Sequence, residues 1–316
     1  MIGFDIGGTK CAVSIGIEKN GCLKIKDKRI MPTDLSVSPY EMLDRMCAAA
    51  EELESAENFD VIGISCGGPL DSRRGIILSP PNLPGWDEIR VVEYLEKRFG
   101  CRAYLQNDAN ACAVAEWKYG AGKGLNNVVF LTFGTGLGAG LILNGKLYSG
   151  ATDTAGEVGH IRLGEYGPVG FGKSGSFEGF CSGGGIANLG RIYAQEAFQS
   201  GKSVSYCKNA EYMPKINAKE IAELAQVGDA DAKRVFDECG KKLGMGLSII
   251  IDILNPDAII LGSIYLRCEN LLKDAALSVI EREALLQPRT ACKIVSAGLG
   301  EKLGDYAALS IAAMNL

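Results

Sequence analysis

The sequence predicts a two-domain α/β protein. The chain has 316 residues, more than a single domain of roughly 100–200 residues usually contains. Predicted strands and helices alternate along it, which is typical of α/β folds. A strand, a glycine-rich turn and a second strand open the chain, and the same pattern recurs from residue 128. We therefore expect two halves related by internal duplication.

The first half opens with a predicted strand over Met1–Ile6, which ends at Gly7-Gly8. A second strand over Cys11–Ile17 precedes Asn20-Gly21, a typical hairpin signal. Hydrophobic periodicity and stop signals predict the other elements of this half. They are a helix over Tyr40–Glu54, a strand over Asp60–Cys66, a helix over Asp87–Phe99, a strand over Cys101–Gln106 and a helix over Ala109–Tyr119.

The second half begins after a polar, glycine-rich stretch at 120–127. Its predicted strands cover Val128–Phe133, Leu137–Leu143 and Ala258–Leu261, and its predicted helices cover Ala218–Gln226, Ala230–Lys242, Gly246–Leu254 and Asp305–Met314. We expect an N-terminal α/β domain over 1–118, completed by the C-terminal helix 305–316. A larger C-terminal α/β domain is expected over 119–304.

The composition excludes several classes of partner. There are 33 Lys+Arg against 38 Asp+Glu, a formal charge of −5, and nucleic-acid binding needs clustered cations. The apolar run Leu247–Leu254 is too short to span a bilayer. The start of the chain lacks the cationic segment of a signal peptide, and the 11 cysteines form no C-x-x-C pair. We therefore predict a cytoplasmic protein with reduced thiols and no nucleic-acid or membrane partner.

The two glycine-rich turns are the first candidate binding elements. The stretch 134–139 fits the dinucleotide pattern G-x-G-x-x-A, but a strand follows it instead of the helix that this pattern requires. Neither turn fits the P-loop pattern. Glycines let the backbone approach an anion closely, so both turns, with the hydroxyls of Thr9 and Thr135, are interpreted as phosphate-binding. The alternative is that both are plain tight hairpins.

Four motifs in order along the chain resemble those of the ROK family (repressors, open reading frames, kinases). They are Asp5-Ile-Gly-Gly-Thr-Lys10, Gln106-Asn-Asp-Ala-Asn110, Thr132–Gly140 and Gly156-Glu-Val-Gly-His160. The resemblance implies the two-domain actin-like ATPase (ribonuclease H-like) fold, with ATP and sugar meeting in an interdomain cleft. It also implies a homodimer or homotetramer. Within this family the sequence is similar to glucokinases and N-acetylmannosamine kinases.

The resemblance assigns a role to individual residues. Asp108 corresponds to the catalytic base, for which an ordinary helix N-cap is the alternative, and Asp5 is expected to direct Mg²⁺ either directly or through water. The residues expected to bind the sugar are Gly68, Asn82, Asn107, Asp108, Glu157, His160 and Glu178. Those expected to bind ATP and its phosphates are Asp5, Gly7, Gly8, Thr9, Lys10, Thr132, Gly134, Thr135, Gly136, Gly262 and Gly300.

Two of these assignments have structural alternatives. His160 is the only histidine of the chain, and a lone imidazole can serve a purely structural role. The Pro-rich stretch that carries Asn82 can be a turn around Trp86 and also form a wall of the sugar site.

The chain departs from the family pattern in one loop. Many members carry C-x-C-G-x-x-G-C-x-E, whose three cysteines join the motif histidine on a structural zinc. The corresponding positions here are Val169, Phe171 and Ser176, which supply no thiolate. We therefore predict that no zinc is bound. The loop is expected to pack Val169 and Phe171 as a small apolar plug instead.

The activity that the resemblance implies is ATP-dependent phosphorylation of a hexose, with ATP and Mg²⁺ and with the 6-hydroxyl as acceptor. Glucose or an N-acyl hexosamine such as N-acetylmannosamine is the expected substrate; fructose, allose and N-acetylglucosamine are alternatives. A sugar-responsive protein without catalysis, or a transcriptional regulator, is the other class considered. Family repressors carry a DNA-binding region ahead of the Asp-Gly-Gly motif, which begins here at residue 5, so a kinase is expected.

Overall fold

The computed structural model describes residues 1–53 and 59–316. Its strands are β1 (Ile2–Ile6), β2 (Lys10–Lys19), β3 (Cys22–Pro32), β4 (Val61–Cys66), β5 (Leu70–Asp71), β6 (Ile76–Ile77), β7 (Arg102–Asn107), β8 (Val128–Phe133), β9 (Leu137–Leu143), β10 (Lys146–Leu147), β11 (Val169–Gly170), β12 (Lys173–Ser174), β13 (Ala258–Leu261) and β14 (Lys293–Ser296). Its α-helices are α1 (Pro39–Glu51), α2 (Val91–Phe99), α3 (Asp108–Tyr119), α4 (Phe177–Phe180), α5 (Gly183–Gln199), α6 (Ala218–Gln226), α7 (Ala230–Leu254), α8 (Ile264–Glu283), α9 (Leu286–Ala291) and α10 (Leu303–Met314).

Residue contacts divide the chain into two compact units. The first unit contains Met1–Phe130, Gly140–Ala155 and Ala297–Leu316. The second unit contains Leu131–Ala139 and Gly156–Ser296. The division predicted from sequence, 1–118 with 305–316 and 119–304, stays a prediction.

The sheet of the first unit has the strand order β3-β2-β1-β4-β7. Strand β1 pairs antiparallel with β2 and parallel with β4, and β4 pairs parallel with β7. Both central strands are nearly all buried, as expected of strands covered on both faces. Helix α10 packs closely on this sheet: a Cβ on Gly63 would lie 2.0 Å from the carbonyl oxygen of Ala308. Only glycine permits that approach.

A second five-stranded sheet has the order β10-β9-β8-β13-β14. Strands β13 and β14 are parallel, with Ala258 opposite Lys293. Helices α7 and α8, which precede and follow β13 in the sequence, form the most extensive helix–helix contact of the second unit. No helix of the described residues is both long and apolar enough to cross a membrane.

The sequence predicted many elements correctly. Strands β8, β9 and β13 and helix α6 have the predicted bounds. The helix predicted over Tyr40–Glu54 covers Pro39–Glu51, and Glu54 lies outside the described residues. The helix predicted from Asp87 begins only at Val91, because Ile89 forms a β-bridge with Ile77.

One prediction is wrong for a packing reason. Two helices were expected at Ala230–Lys242 and Gly246–Leu254, but α7 runs unbroken through residues 230–254. Its glycines mark close packing instead of a break. A Cβ on Gly244 would lie 2.5 Å from the carbonyl oxygen of Ala276 on α8, and one on Gly246 would lie 2.3 Å from the ring of Phe177.

Candidate active site

The first glycine turn, residues 7–9, joins β1 to β2 in the first unit. A Cβ on Gly8 would lie 2.3 Å from the carbonyl oxygen of Asn82, so the backbone at Asn82 lies directly on this turn. The hydroxyl of Thr33 donates to the Gly7 carbonyl at 2.5 Å, and the Thr33 amide donates to the Thr9 carbonyl at 3.0 Å. The turn is thus fixed from two sides, while Thr9 and Lys10 are exposed.

Asp5 is the half-buried residue of β1. It lies opposite Ser65 in the parallel pair of β1 and β4, and the Ser65 hydroxyl hydrogen-bonds to its carboxylate. Burial, followed by the negative charge of Asp108, raises the pKa of Asp5 to about 6. The hydrogen bond from Ser65 and the charge of Lys10 only partly offset these effects. The carboxylate therefore carries a charge that the surrounding protein does not fully neutralise.

Asp108 is the first residue of α3, directly after β7. Its Oδ1 accepts a hydrogen bond from the Ala109 amide at 2.8 Å, and the Oδ1 of Asn107 accepts from the same amide at 2.9 Å. The residue in the N-cap position is Asn107. Although Asp108 reaches solvent, the protein atoms around it desolvate the carboxyl and raise its pKa, against two hydrogen bonds from backbone amides that lower it.

Gly68 lies close to Asn107, the residue that precedes Asp108 in the chain. A Cβ on Gly68 would lie 3.2 Å from Nδ2 of Asn107, so two residues expected to bind sugar are neighbours. The structure thus brings together Asp5, the turn at Gly7 and Gly8, and Asn82, and it places Gly68 beside the Asn107–Asp108 pair.

The sequence did not single out Glu116, which is completely buried on α3. Its Oε2 accepts from the amides of Ala121 at 2.8 Å and Gly298 at 3.0 Å, and its Oε1 accepts from the amide of Leu299 at 2.9 Å. One carboxylate therefore ties the helix that begins at Asp108 to the turn that leads to Gly300. The only signal for Glu116 in the sequence was that it is a single acidic residue within the predicted alanine-rich helix Ala109–Tyr119.

The second glycine turn, residues 134–136, joins β8 to β9 in the second unit. Its conformation is fixed by internal hydrogen bonds: the Gly134 amide donates to the Gly136 carbonyl at 3.0 Å, and the Gly138 amide donates to the Thr132 hydroxyl at 3.1 Å. Thr135 is exposed at its tip. The Gly262 amide donates to the carbonyl of Leu131 at 3.1 Å, which holds Gly262 near the end of β8.

Glu178 lies against this second turn. Its Oε2 accepts a hydrogen bond from the Leu137 amide at 2.9 Å, and a Cβ on Gly136 would lie 2.6 Å from the same oxygen. Glu178 is on α4, whose N-terminus Ser176 caps. The chain reversal at Gly159 is also close, because a Cβ there would lie 3.2 Å from the Cβ of Glu178.

Glu157 directly precedes the 3₁₀ turn Val158–His160 and His160 is its last residue; both are exposed. The ring of His160 meets the ring of Phe171 edge-on, with centroids 5.5 Å apart and planes at 90°. The expected apolar plug is wrong: Val169 is 54% exposed and Phe171 69% exposed. Val169 lies in the short hairpin of β11 and β12 and Phe171 at its two-residue turn, and both side chains are exposed there instead of packed in a core.

The residues at the three family cysteine positions cannot bind zinc as thiolates. Across residues 1–53 and 59–316, no group of three or more His, Cys, Asp or Glu is arranged to hold a metal ion. The oxygen donors of Asp5 and Asp108 are a different case, because Mg²⁺ commonly binds one or two carboxylates together with phosphate oxygens.

Two five-stranded sheets with helices, and a glycine turn after a buried strand in each half, define the class of actin-like ATPase folds. The chain belongs to the ROK family, whose family model matches residues 1–314. The predicted family and fold class are therefore confirmed.

Two curated relatives are glucokinases. The chain is 31% identical to that of Thermotoga maritima, over 83% of this chain and 81% of the relative. It is 30% identical to that of Streptomyces coelicolor, over 98% and 96%. A xylose repressor of Bacillus spizizenii is 28% identical over 76% of this chain, which covers 57% of the repressor.

Solved structures agree with this placement. A ROK hexokinase from Thermus thermophilus superposes with a TM-score of 0.81 at 28% identity, covering 100% of this chain and 98% of the hexokinase. A ROK family glucokinase from Streptomyces griseus, solved in complex with glucose and AMPPNP, gives a TM-score of 0.77 at 29% identity, covering 99% of both chains.

Proposed function

We propose that this protein is an ATP-dependent hexose kinase that transfers the γ-phosphoryl group of ATP to the 6-hydroxyl of its sugar. The observation that carries the proposal is Asp108, a carboxyl with a raised pKa at the start of α3, next to Asn107 and near the charge of Asp5. A carboxylate of raised pKa is a stronger base than an ordinary one. The similarity to glucokinases supports the same activity.

In this proposal Asp108 accepts the proton of the sugar hydroxyl as its oxygen attacks the γ-phosphorus. The O–H bond breaks, the new P–O bond forms, and the bond from the γ-phosphorus to the bridging oxygen breaks, so that ADP leaves. Asn107, which precedes Asp108 in the chain, and Gly68, which lies beside Asn107, would hold the sugar near this carboxyl. Phosphoryl transfer depends mainly on such positioning and on neutralising the developing charge.

The two glycine turns are proposed to hold the phosphates of ATP. Gly7, Gly8, Thr9 and Lys10 form the first group, and Thr132, Gly134, Thr135 and Gly136 form the second. Exposed Thr9, Lys10 and Thr135 supply hydroxyl and ammonium donors, and glycine lets phosphate oxygens approach the backbone. Gly262 and Gly300 are proposed to border the adenosine.

Mg²⁺ fits the chemistry of the first unit. Asp5 has its pKa raised to about 6 by burial and by the charge of Asp108, so a dication beside it would relieve an existing electrostatic cost. Asp5 would hold the ion directly or through water, and the ion would neutralise phosphate charge. The lysine of the same turn, Lys10, would share that task.

For the sugar we propose glucose or an N-acyl hexosamine such as N-acetylmannosamine. Hydroxyl-rich ligands need several polar partners, and Asn82, Asn107, Glu157, His160 and Glu178 would supply the amide, carboxylate and imidazole groups. The relative from Streptomyces griseus was solved with glucose and an ATP analogue, which favours glucose. Action as a cytoplasmic homodimer or homotetramer is part of the proposal.

The test is a coupled ADP-release assay across glucose, fructose, allose, mannose and their N-acetylamino derivatives, with ATP and Mg²⁺. The expected result is ADP formation that requires one of these sugars, with a 6-phosphorylated product identified by NMR. ATP hydrolysis without sugar is the control. A purified, folded protein that releases no ADP with any of these sugars would contradict the proposal.

A second candidate is a sugar-responsive regulator without catalysis, which the similarity to a xylose repressor favours. Such a protein would bind sugar in calorimetry but release no ADP. Binding to promoter DNA in a gel-shift assay that sugar reverses would favour this candidate. ADP release that requires sugar would exclude it.

A further inference from the structure

The residues at the three family cysteine positions have other roles in this chain. Val169 pairs with Ser174 in the hairpin of β11 and β12. Ser176 is fully buried, and its hydroxyl accepts a hydrogen bond from the Gly179 amide at 3.1 Å as the N-cap of α4. Phe171 contacts the ring of His160. A zinc ion would therefore find one imidazole and no thiolate, which does not make a structural site.

The hairpin turn places Phe171 in an unusual conformation. Strands β11 and β12 are joined by two residues, Phe171 with a φ of 42° and Gly172 with a φ of 75°. Two-residue turns with positive φ at both positions favour Asn-Gly, and a bulky side chain is disfavoured there. The ring is also largely exposed. Neither turn preference nor core burial therefore explains a phenylalanine at position 171. Its contact with the ring of His160 is the remaining interaction that could explain it.

The same hairpin holds the main chain of His160. Nζ of Lys173, on β12, donates to the His160 carbonyl oxygen at 2.6 Å. The next carbonyl along, that of Ile161, accepts from the Phe177 amide at 2.8 Å. One short hairpin thus contacts both the backbone and the imidazole of a single residue.

We propose that Phe171 is a positioning residue that fixes the plane of the His160 imidazole, the task that a metal ion performs where it binds the ring. With the plane fixed, the ring nitrogens keep one direction toward the sugar hydroxyls. The assignment of His160 to the sugar rests on the proposed function; the ring contact does not. Edge-to-face aromatic contacts correspond to about 2- to 10-fold in an equilibrium constant.

The test uses the fact that His160 is the only histidine of the chain, so its ring signals in an NMR spectrum are unambiguous. Phe171→Asn removes the ring and suits a positive φ. The expected result is a clear displacement of the His160 ring signals in the substrate-free protein and an about 2- to 10-fold rise in KM for the sugar, with kcat nearly unchanged. Phe171→Tyr is expected to restore both.

Two further variants complete the experiment. Tyr166→Asn removes another exposed aromatic ring, 80% accessible on the same loop, and should leave the His160 signals and KM unchanged. If Phe171→Asn does not fold, Phe171→Leu keeps the bulk and the strain of the native turn and removes only the aromatic ring.

The outcomes separate this proposal from the proposed function. Absence of sugar phosphorylation by the parent protein would end the kinase proposal, while the displaced His160 signals would still support the ring contact. Unchanged His160 signals in Phe171→Asn would overturn the positioning role. One zinc ion per chain, whose removal by a chelator displaces the His160 signals, would overturn it as well.

Discussion

The two glycine turns share a pattern of strand, turn and strand, but the carboxylates near them have different surroundings. Beside the first turn, burial raises the pKa of both Asp5 and Asp108, and the charge of Asp108 contributes to the shift of Asp5. Beside the second turn, Glu178 accepts a hydrogen bond from the Leu137 amide at 2.9 Å. Near the first turn, two desolvated carboxyls add negative charge that a cation or a proton would relieve. At the second turn, the carboxylate accepts a hydrogen bond from the strand that follows the turn. Two turns of similar local sequence therefore have carboxylates in different chemical environments.

The turns also differ in how tightly other backbone packs on them. A Cβ on Gly8 would lie 2.3 Å from the carbonyl oxygen of Asn82, whereas one on Gly134 would lie no closer than 3.6 Å to any neighbour, the hydroxyl of Ser263. We expect Gly8→Ala to displace the first turn and to lower turnover about 100-fold, with a loss of about 1–3 kcal/mol in the free energy of unfolding.

Gly134→Ala is the matched control, and it should change the free energy of unfolding by less than about 0.5 kcal/mol. Chemical denaturation and the ADP-release assay measure both variants. A loss of turnover in this variant without a loss of stability would then indicate that a ligand approaches the backbone of this turn. Equal destabilisation by the two substitutions would show that the turns are packed alike and contradict the comparison.

The second prediction concerns the charge of Asp5 and is made for protein free of nucleotide and Mg²⁺. The folded state keeps a proton on Asp5 up to a pKa of about 6, whereas the usual value is 3.8. The ionised carboxyl therefore destabilises the folded state above pH 6, and this cost disappears as the pH falls from 6 to 3.8. Asp5→Asn should raise the free energy of unfolding at pH 8 by up to about 3 kcal/mol.

Urea denaturation at several pH values measures this effect. The advantage of Asp5→Asn should shrink through the window from about 6 to 3.8 and vanish below it. Asp60→Asn, which removes an exposed carboxyl just ahead of β4, should change stability by less than about 0.5 kcal/mol at every pH. A gain from Asp5→Asn that does not depend on pH would refute the electrostatic explanation.

The smallest effect is expected at the second turn. Glu178→Gln keeps an acceptor for the Leu137 amide but removes the charge from that hydrogen bond. We expect a loss of about 1 kcal/mol in the free energy of unfolding and a higher KM for the sugar. Glu165→Gln, which neutralises an exposed acid ahead of the hairpin of β11 and β12, is the control. A gain in the free energy of unfolding, as expected for Asp5→Asn, would show that the charge of Glu178 destabilises its surroundings as that of Asp5 does.

Sequence periodicity predicted the buried elements well, because strands such as β8 and β13 are almost continuous apolar runs. It predicted no element for β3, an edge strand whose sequence alternates lysine with apolar residues and is largely exposed. It also divided α7 at glycines, although these glycines allow α8 and Phe177 to pack closely on the helix. Local pattern does not show such tertiary contacts.

The candidate site shows the same limit. The glycine turns were evident from local pattern, and Asp5 and Asp108 were identified from the family motifs that contain them. Thr33, Ser65 and Glu116 were not, since each acts through a partner distant in sequence: Thr33 on Gly7, Ser65 on Asp5, and Glu116 on the turn at 298–299. These residues hold the groups that the motifs name, and only the folded chain reveals them.

The central claim is that Asp108 takes the proton from the sugar, and the most direct measurement is the turnover of Asp108→Ala against the parent protein. With the sugar that gives the highest rate, ADP release should fall at least about 100-fold, near the usual contribution of a general base. Sugar binding measured by calorimetry should survive the substitution. Equal turnover in the two proteins would contradict the account.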